Sequence, residues 1–219
     1  MHEKVKEIVE RIKQHMNGSV AQSLANLGVA YKQNYGVTIT ELQEIAKDYK
    51  GNHDLALALF QEDIRECKIL ASMIDDPEQV TGEQIDSWAQ CFKNVEIVEQ
   101  VCSNLLWKSD YALSRSIEWC LSSDELMQRA GLLIAARSAS KSAVKDCVFE
   151  PYIDIILNYE DTQIALNKNT IAFALREIAQ RNASFKERIL TLAHQLAESE
   201  DEHTAWIGGQ LLFELDQEV

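Results

Sequence analysis

Apolar residues recur at spacings of three and four along almost the whole chain, which is the mark of helices with one buried side. In VKEIVERIKQHM, Val5, Ile8, Val9, Ile12 and Met16 fall on a single stripe. The same pattern predicts a helix in TITELQEIAKDY, with Thr40 as candidate cap, and another in NHDLALALF, starting at Asn52. DIRECKILASMI, GEQIDSWAQCF, NVEIVEQVCSNLLW and DYALSRSIEWCL follow, then SDELMQRAGLLIAARSA, where Ser123 and the acids after it suit the positive end of a helix. Residues 142 to 158, 161 to 181, 184 to 197 and 203 to 215 continue the pattern. No run alternates as a strand would, and the connections (SDY, SSD, NYED, RNAS) are short. Helices joined in this way, at about 40 residues per pair, predict stacked hairpins of the HEAT type. The expected fold is all-α, a HEAT-like helical-repeat solenoid forming one domain over residues 1 to 219, with an acidic C-terminal helix from about residue 200.

Composition narrows the class without changing this picture. The chain has 219 residues, enough for a sizeable core, and only 2 prolines and 8 glycines, too few for the turns of an all-β fold. No apolar run is long enough to span a membrane, and the charged start MHEKVKEIVERIKQHM lacks the apolar core of a signal peptide, so a cytoplasmic protein is expected. Cys67, Cys91, Cys102, Cys120 and Cys147 are scattered through helical patterns without CxxC spacing, and read as small buried hydrophobes. His15, His53, His194 and His203 lie far apart and read as surface residues. With no metal-ligand spacing and no phosphate-binding glycine loop, neither metal nor cofactor is expected. Trp88, Trp107, Trp119 and Trp206 sit on apolar helix faces and are expected in the core.

Charge is where the sequence becomes specific. The net charge of −14 argues against a general nucleic-acid binder, because phosphates must be met by Lys and Arg. Its distribution is uneven. Residues 198 to 219 hold Glu198, Glu200, Asp201, Glu202, Glu214, Asp216 and Glu218 with no Lys or Arg, whereas residues 126 to 145 hold Arg129, Arg137, Lys141 and Lys145 with no acid. Either run can be a solvated face; the second can also be a phosphate-facing stripe, with Arg129 turned into a groove and a helix break between Ser138 and Ser142.

The order of YGVTITELQEIAKDY, LFQEDIRECKILA, a Trp-bearing helix, NVEIVEQV, SSDELMQRAGLLIAA and NKNTIAFALREIAQRN, from about Tyr35 to Asn182, resembles the DNA alkylation repair enzymes. The Gly36-Val37 pair before an amphipathic helix, Arg65-Glu66, Arg129 in QRA and Arg176 in ALREIA carry the resemblance through their order and spacing. These enzymes are alkylpurine DNA glycosylases built from HEAT-like repeats. The resemblance implies excision of cationic alkylated purines, in which an acid stabilises positive charge growing on the deoxyribose. It further implies an aromatic residue one turn before that acid, an arginine on a backbone phosphate and a later tryptophan.

Carried onto this chain, the acid position falls on Glu99, one methylene longer than the usual aspartate, and the preceding aromatic position on Val95, which has no π face. The arginine is kept as Arg129 and the later aromatic position falls on Phe173. Helical geometry puts Glu99 at the rim of its apolar stripe, where a solvated surface carboxylate is the competing reading. The resemblance therefore implies a monomeric protein that binds double-stranded DNA, damaged or distorted, with weak or lost N-glycosylase activity. The acidic balance and Val95 keep open a different class, a non-catalytic helical scaffold for a protein partner.

Overall fold

Side-chain oxygens in the connections set where most of the helices begin. The computed structural model describes residues 2 to 216; positions 217 to 219, which include Glu218 of the acidic tail, lie outside the described residues. The helices are α1 (His2–Lys13), α2 (Gly18–Asn26), α3 (Ile39–Ala46), α4 (His53–Phe60), α5 (Arg65–Ile74), α6 (Gly82–Ala89), α7 (Val95–Asn104), α8 (Asp110–Cys120), α9 (Glu125–Ala139), α10 (Glu150–Leu157), α11 (Asp161–Ala179), α12 (Ala183–Ala197) and α13 (Glu202–Asp216). Two 3₁₀ turns, Leu106–Lys108 and Asp146–Val148, interrupt the connections. Among the described residues there is no strand, only an isolated bridge between Gln33 and Ile64, and no helix is long and apolar enough to cross a membrane.

The expected elements are present, with four local corrections. The cap of α3 is Thr38 rather than Thr40, because Thr38 and Glu41 satisfy each other's backbone N–H in a capping box. Asp124 replaces Ser123 at the start of α9: its carboxylate accepts from both Leu126 and Met127 N–H, and a negative charge is favoured at that end. The expected helix over 142 to 158 is shortened to α10, which begins beside Pro151. The residues before it are held as a loop by Arg181, which donates to the carbonyls of Ala139, Lys141 and Val144 and pairs with Asp146. Its guanidinium also lies 4.4 Å over the Phe149 ring. Finally, α2 is a helix that the apolar pattern did not mark; Asn17 caps it, and no residue in it is buried.

The chain divides into two compact units, Met1–Tyr111 and Ala112–Val219. In the first, α5 is the central helix, packed by α3, α4 and α7. Eight of its residues are buried, and Phe60 stacks on Trp88 at 3.8 Å. In the second, α11 is central, with α9, α12 and α13 packed on it. Close approach here depends on glycine. A Cβ on Gly131 of α9 would lie 2.5 Å from the Ser116 carbonyl oxygen of α8, and one on Gly208 of α13 would lie 2.3 Å from the Ala197 amide nitrogen of α12.

Burial departs from expectation at three residue types. Trp88 and Trp119 are core residues, but Trp107 is half-buried, in a 3₁₀ turn whose buried residue is Leu106, and Trp206 is 39% exposed, because Ile207, Leu211 and Leu215 take the buried side of α13. His53 is not a surface histidine: its Nδ1 lies 2.7 Å from a carboxylate oxygen of Asp75, whose side chain is fully buried. Burial raises the Asp75 carboxyl above the usual range, against the hydrogen bonds from His53 and Gln84. Cys67, Cys102 and Cys120 are buried, and desolvation pushes the Cys67 and Cys120 thiols up to about 12, whereas Cys147 is exposed.

Candidate nucleic-acid interface

Two groups of predicted residues exist, one in each unit. In the first unit, Asn94 caps α7 by accepting the Ile97 N–H at 3.0 Å. Ile97, Val98, Val101 and Cys102 turn inward. Val95 and Glu99, four residues apart, therefore share the outer side of α7. Val95 is 39% exposed and Glu99 half-buried, so Glu99 has the rim position expected of it.

Beneath that outer side lies a network that the apolar pattern did not reveal. Arg65, 2% exposed, makes a bidentate pair with Glu96 of α7 at 2.6 and 2.8 Å. It also donates to Glu66 at 3.0 Å and to the Val37 carbonyl at 2.8 Å. Glu66, fully buried, accepts the Tyr35 and Val37 N–H groups, and the Tyr31 hydroxyl donates to Glu96. Burial opposes the charge on Arg65, but Glu96 and then Glu66 outweigh it and hold the guanidinium above its ordinary range. Burial chiefly, and then the Glu96 charge, push the Tyr31 phenol well above its ordinary range. The Arg-Glu pair noted in the sequence is thus a fastening for the 27–38 segment and for α7, and every polar arm of Arg65 is used within the unit.

In the second unit the cations lie along the helices that carry them. Arg129, half-buried on α9, reaches α11: its guanidinium donates to the Leu166 carbonyl at 2.8 Å and to the Thr170 hydroxyl at 3.1 Å. Two turns further along α9, the Arg137 guanidinium carbon sits 6.0 Å from the centre of the Phe173 ring on α11. Arg176, one turn on from Phe173, lies 5.2 Å from the same ring. One aromatic side chain thus carries two guanidinium groups, each contact worth about 0.5 to 1 kcal/mol at a partly exposed site. Arg176 also pairs with Glu177 at 2.6 Å and with Glu214 of α13 at 3.3 Å. Burial opposes its charge, but the two carboxylates more than offset that and hold it above its ordinary range.

Lys141 and Lys145 lie outside α9, which ends at Ala139; Lys141 is half-buried and Lys145 exposed, both in the loop that Arg181 holds. Of the predicted residues, then, Arg137 and Phe173 meet along the α9–α11 ridge, Arg129 reaches α11 earlier on the same helix pair, at Leu166 and Thr170, and Val95 and Glu99 share a side of α7. Arg176 shares the Phe173 ring with Arg137, a neighbour that its place three residues after Phe173 on α11 already implied. Among the described residues, no group of three or more His, Cys, Asp or Glu side chains is placed to hold a metal ion.

The family pattern described as DNA alkylation repair enzyme matches residues 8 to 204. The chain belongs to the DNA alkylation repair enzyme family. Membership spans both units, so the side of α7 with Glu99 and the α9–α11 ridge are both family territory. The fold agrees. The chain is similar to a solved structure described as "a new family of proteins related to the HEAT-like repeat DNA glycosylases with affinity for branched DNA structures". The similarity covers 94% of this chain and 93% of that one, at 20% identity and a TM-score of 0.74, so the all-α, HEAT-like repeat fold is shared. No curated protein matches the chain significantly.

Proposed function

We propose that this member of the DNA alkylation repair enzyme family binds DNA through backbone phosphates on the α9–α11 ridge, and that base excision is weak or lost. The observation that carries the reading is the Arg137–Phe173–Arg176 arrangement beside Arg129: guanidinium groups held on helices and already oriented, as phosphate contacts require. The solved relative's affinity for branched DNA supports a DNA partner here, in duplex or branched form. Weak excision follows from α7. Glu99 offers an anion, but Val95 offers no ring to lie against the sugar and exclude water.

The test is a binding titration with plain, branched and methylated duplexes across a salt series. A phosphate-driven complex weakens along a straight line of log affinity against log salt, and Arg129→Ala with Arg137→Ala makes that line shallower. A flat line overturns the reading. The second reading, a scaffold for a protein partner, is favoured by the net charge of −14 and would give that flat line.

A further inference from the structure

On a chain with 35 acids against 21 bases, a concave place whose charged lining is wholly cationic stands out. The first unit has one. A cleft of about 320 Å³ opens between α3, α5 and the end of α7, and Lys47, Lys50 and Lys108 line it. No carboxylate does: the other polar lining groups are the neutral Gln43, Ser103 and Asn104. Lys47 caps the end of α3, Lys50 stands in the turn before α4, and Lys108 ends the 3₁₀ turn after α7, so packing rather than local sequence gathers them.

The acids nearest in sequence do not cancel these charges. Asp48, between Lys47 and Lys50, turns to Arg11 of α1 at 2.7 Å. Glu44 reaches Lys47 at 2.6 Å, but both side chains are largely exposed, and such a pair one helical turn apart is screened by solvent and holds little. Lys50, exposed, has no ion pair among the described residues. The Lys108 ammonium donates to the Asn104 carbonyl at 2.5 Å, which fixes it to the wall of the cleft. Like charges gathered in one cleft repel each other, a cost that a bound anion removes.

We infer that this cleft is a binding site for a phosphate group, separate from the α9–α11 ridge and in the other unit. Phosphate oxygens accept from several ammonium groups at once, and flexible lysine stems can close on them from more than one wall. At about 320 Å³ the cleft is at the small end for a ligand pocket, the size for a phosphate group rather than a whole cofactor. The group can arrive on a DNA strand or on a free polyphosphate. Ser103 follows Glu99 by one turn on the outer side of α7, so a strand lying along that side brings a backbone phosphate to the cleft.

The experiment uses the full chain and two probes: pyrophosphate, followed by titration calorimetry, and a fluorescein-labelled duplex, followed by anisotropy across a salt series. The variant is joint Lys47→Gln, Lys50→Gln and Lys108→Gln. Joint Lys4→Gln, Lys6→Gln and Lys32→Gln is the control, with the same change of net charge at exposed positions of the same unit. The cleft variant is expected to weaken the duplex roughly tenfold and make the log–log salt slope shallower by about one, while the control stays within about twofold of wild type. Loss of the duplex alone assigns the site to strand phosphate, and loss of pyrophosphate alone assigns it to a free polyphosphate. Cleft and control variants that behave alike with both probes overturn the site. The ridge is judged separately by Arg129→Ala with Arg137→Ala: duplex binding that depends on those arginines and not on the lysines, with pyrophosphate also indifferent to the lysines, keeps the ridge and overturns the cleft. The reverse keeps the cleft and overturns the ridge, and a wild type that binds neither probe overturns both. An unchanged helical circular dichroism spectrum confirms that the variants are folded.

Discussion

Arg65 in the first unit is 2% exposed and engages two carboxylates and a carbonyl, whereas Arg137 in the second is half-buried and lies over the ring of Phe173. The first arrangement is closed. Its guanidinium, fully ligated and desolvated, has nothing left to offer a ligand, and its worth is that removing it strands two anions. The second arrangement is less enclosed. Arg137 and Arg176 lie on the Phe173 ring in partly exposed positions, and the carboxylates on Arg176 are partners that a competing anion can replace. A positive charge in a sequence is therefore no guide to function until it is known whether the fold encloses it. Arg65 and Arg176 both belong to motifs carrying the family resemblance, yet one fastens a segment and the other borders a surface.

Substitution can break this comparison. The largest effect is expected from Arg65→Met, which leaves Glu66 and Glu96 without their cation and costs about 3 to 5 kcal/mol; chemical denaturation followed by circular dichroism measures it. A loss under about 1 kcal/mol would mean that the network is not enclosed as described. Arg181→Ala comes next, at about 3 kcal/mol, because three loop carbonyls and Asp146 lose their donor and Phe149 loses its cation. It should also raise proteolysis between residues 140 and 149, which Arg65→Met should not do selectively.

The opposite behaviour sharpens the contrast. Arg137→Ala should cost no more than its one ring contact, about 0.5 to 1 kcal/mol of stability, yet weaken duplex DNA roughly tenfold through the loss of one phosphate contact. Equal losses of folding and of binding would return Arg137 to the structural class of Arg65. The smallest effect belongs to Glu99→Gln. In single-turnover release of 7-methylguanine from methylated duplex, the wild type should be slow and the variant slower by a few fold, because an anion without an aromatic neighbour stabilises little charge. Val95→Trp should speed the wild-type reaction, and identical rates for wild type and Glu99→Gln would make Glu99 an ordinary surface carboxylate.

Much of this was legible in the chain itself, and what was hidden has a common cause. Helical period placed α11, α12 and α13 to within a few residues, since apolar residues recur at spacings of three and four through each. Glu99 was legible as a rim residue from the same arithmetic. The Arg65–Glu96 pair was not, because its partners are 31 positions apart and only the packing of α5 on α7 joins them. The loop before α10 read as helix because its breaker, Arg181, acts from about 40 positions downstream. Trp206 misled for a subtler reason: it adjoins the buried stripe of α13 in sequence, and a pattern of apolar positions cannot tell which of two neighbouring stripes the fold will cover.

Gly208 has a consequence for how this protein can change over generations. Because α13 is set against α12 by backbone contact at that position, any side chain there must push the helix away. Its outer positions are under no such restraint, since exposed substitutions commonly shift stability by less than about 0.5 kcal/mol. Drift is thus barred at one residue and nearly free at the exposed Gly209 and Phe213, so the outer side of the last helix can change its chemistry without the helix moving. Diverging lineages would be expected to keep Gly208 and vary the exposed positions around it.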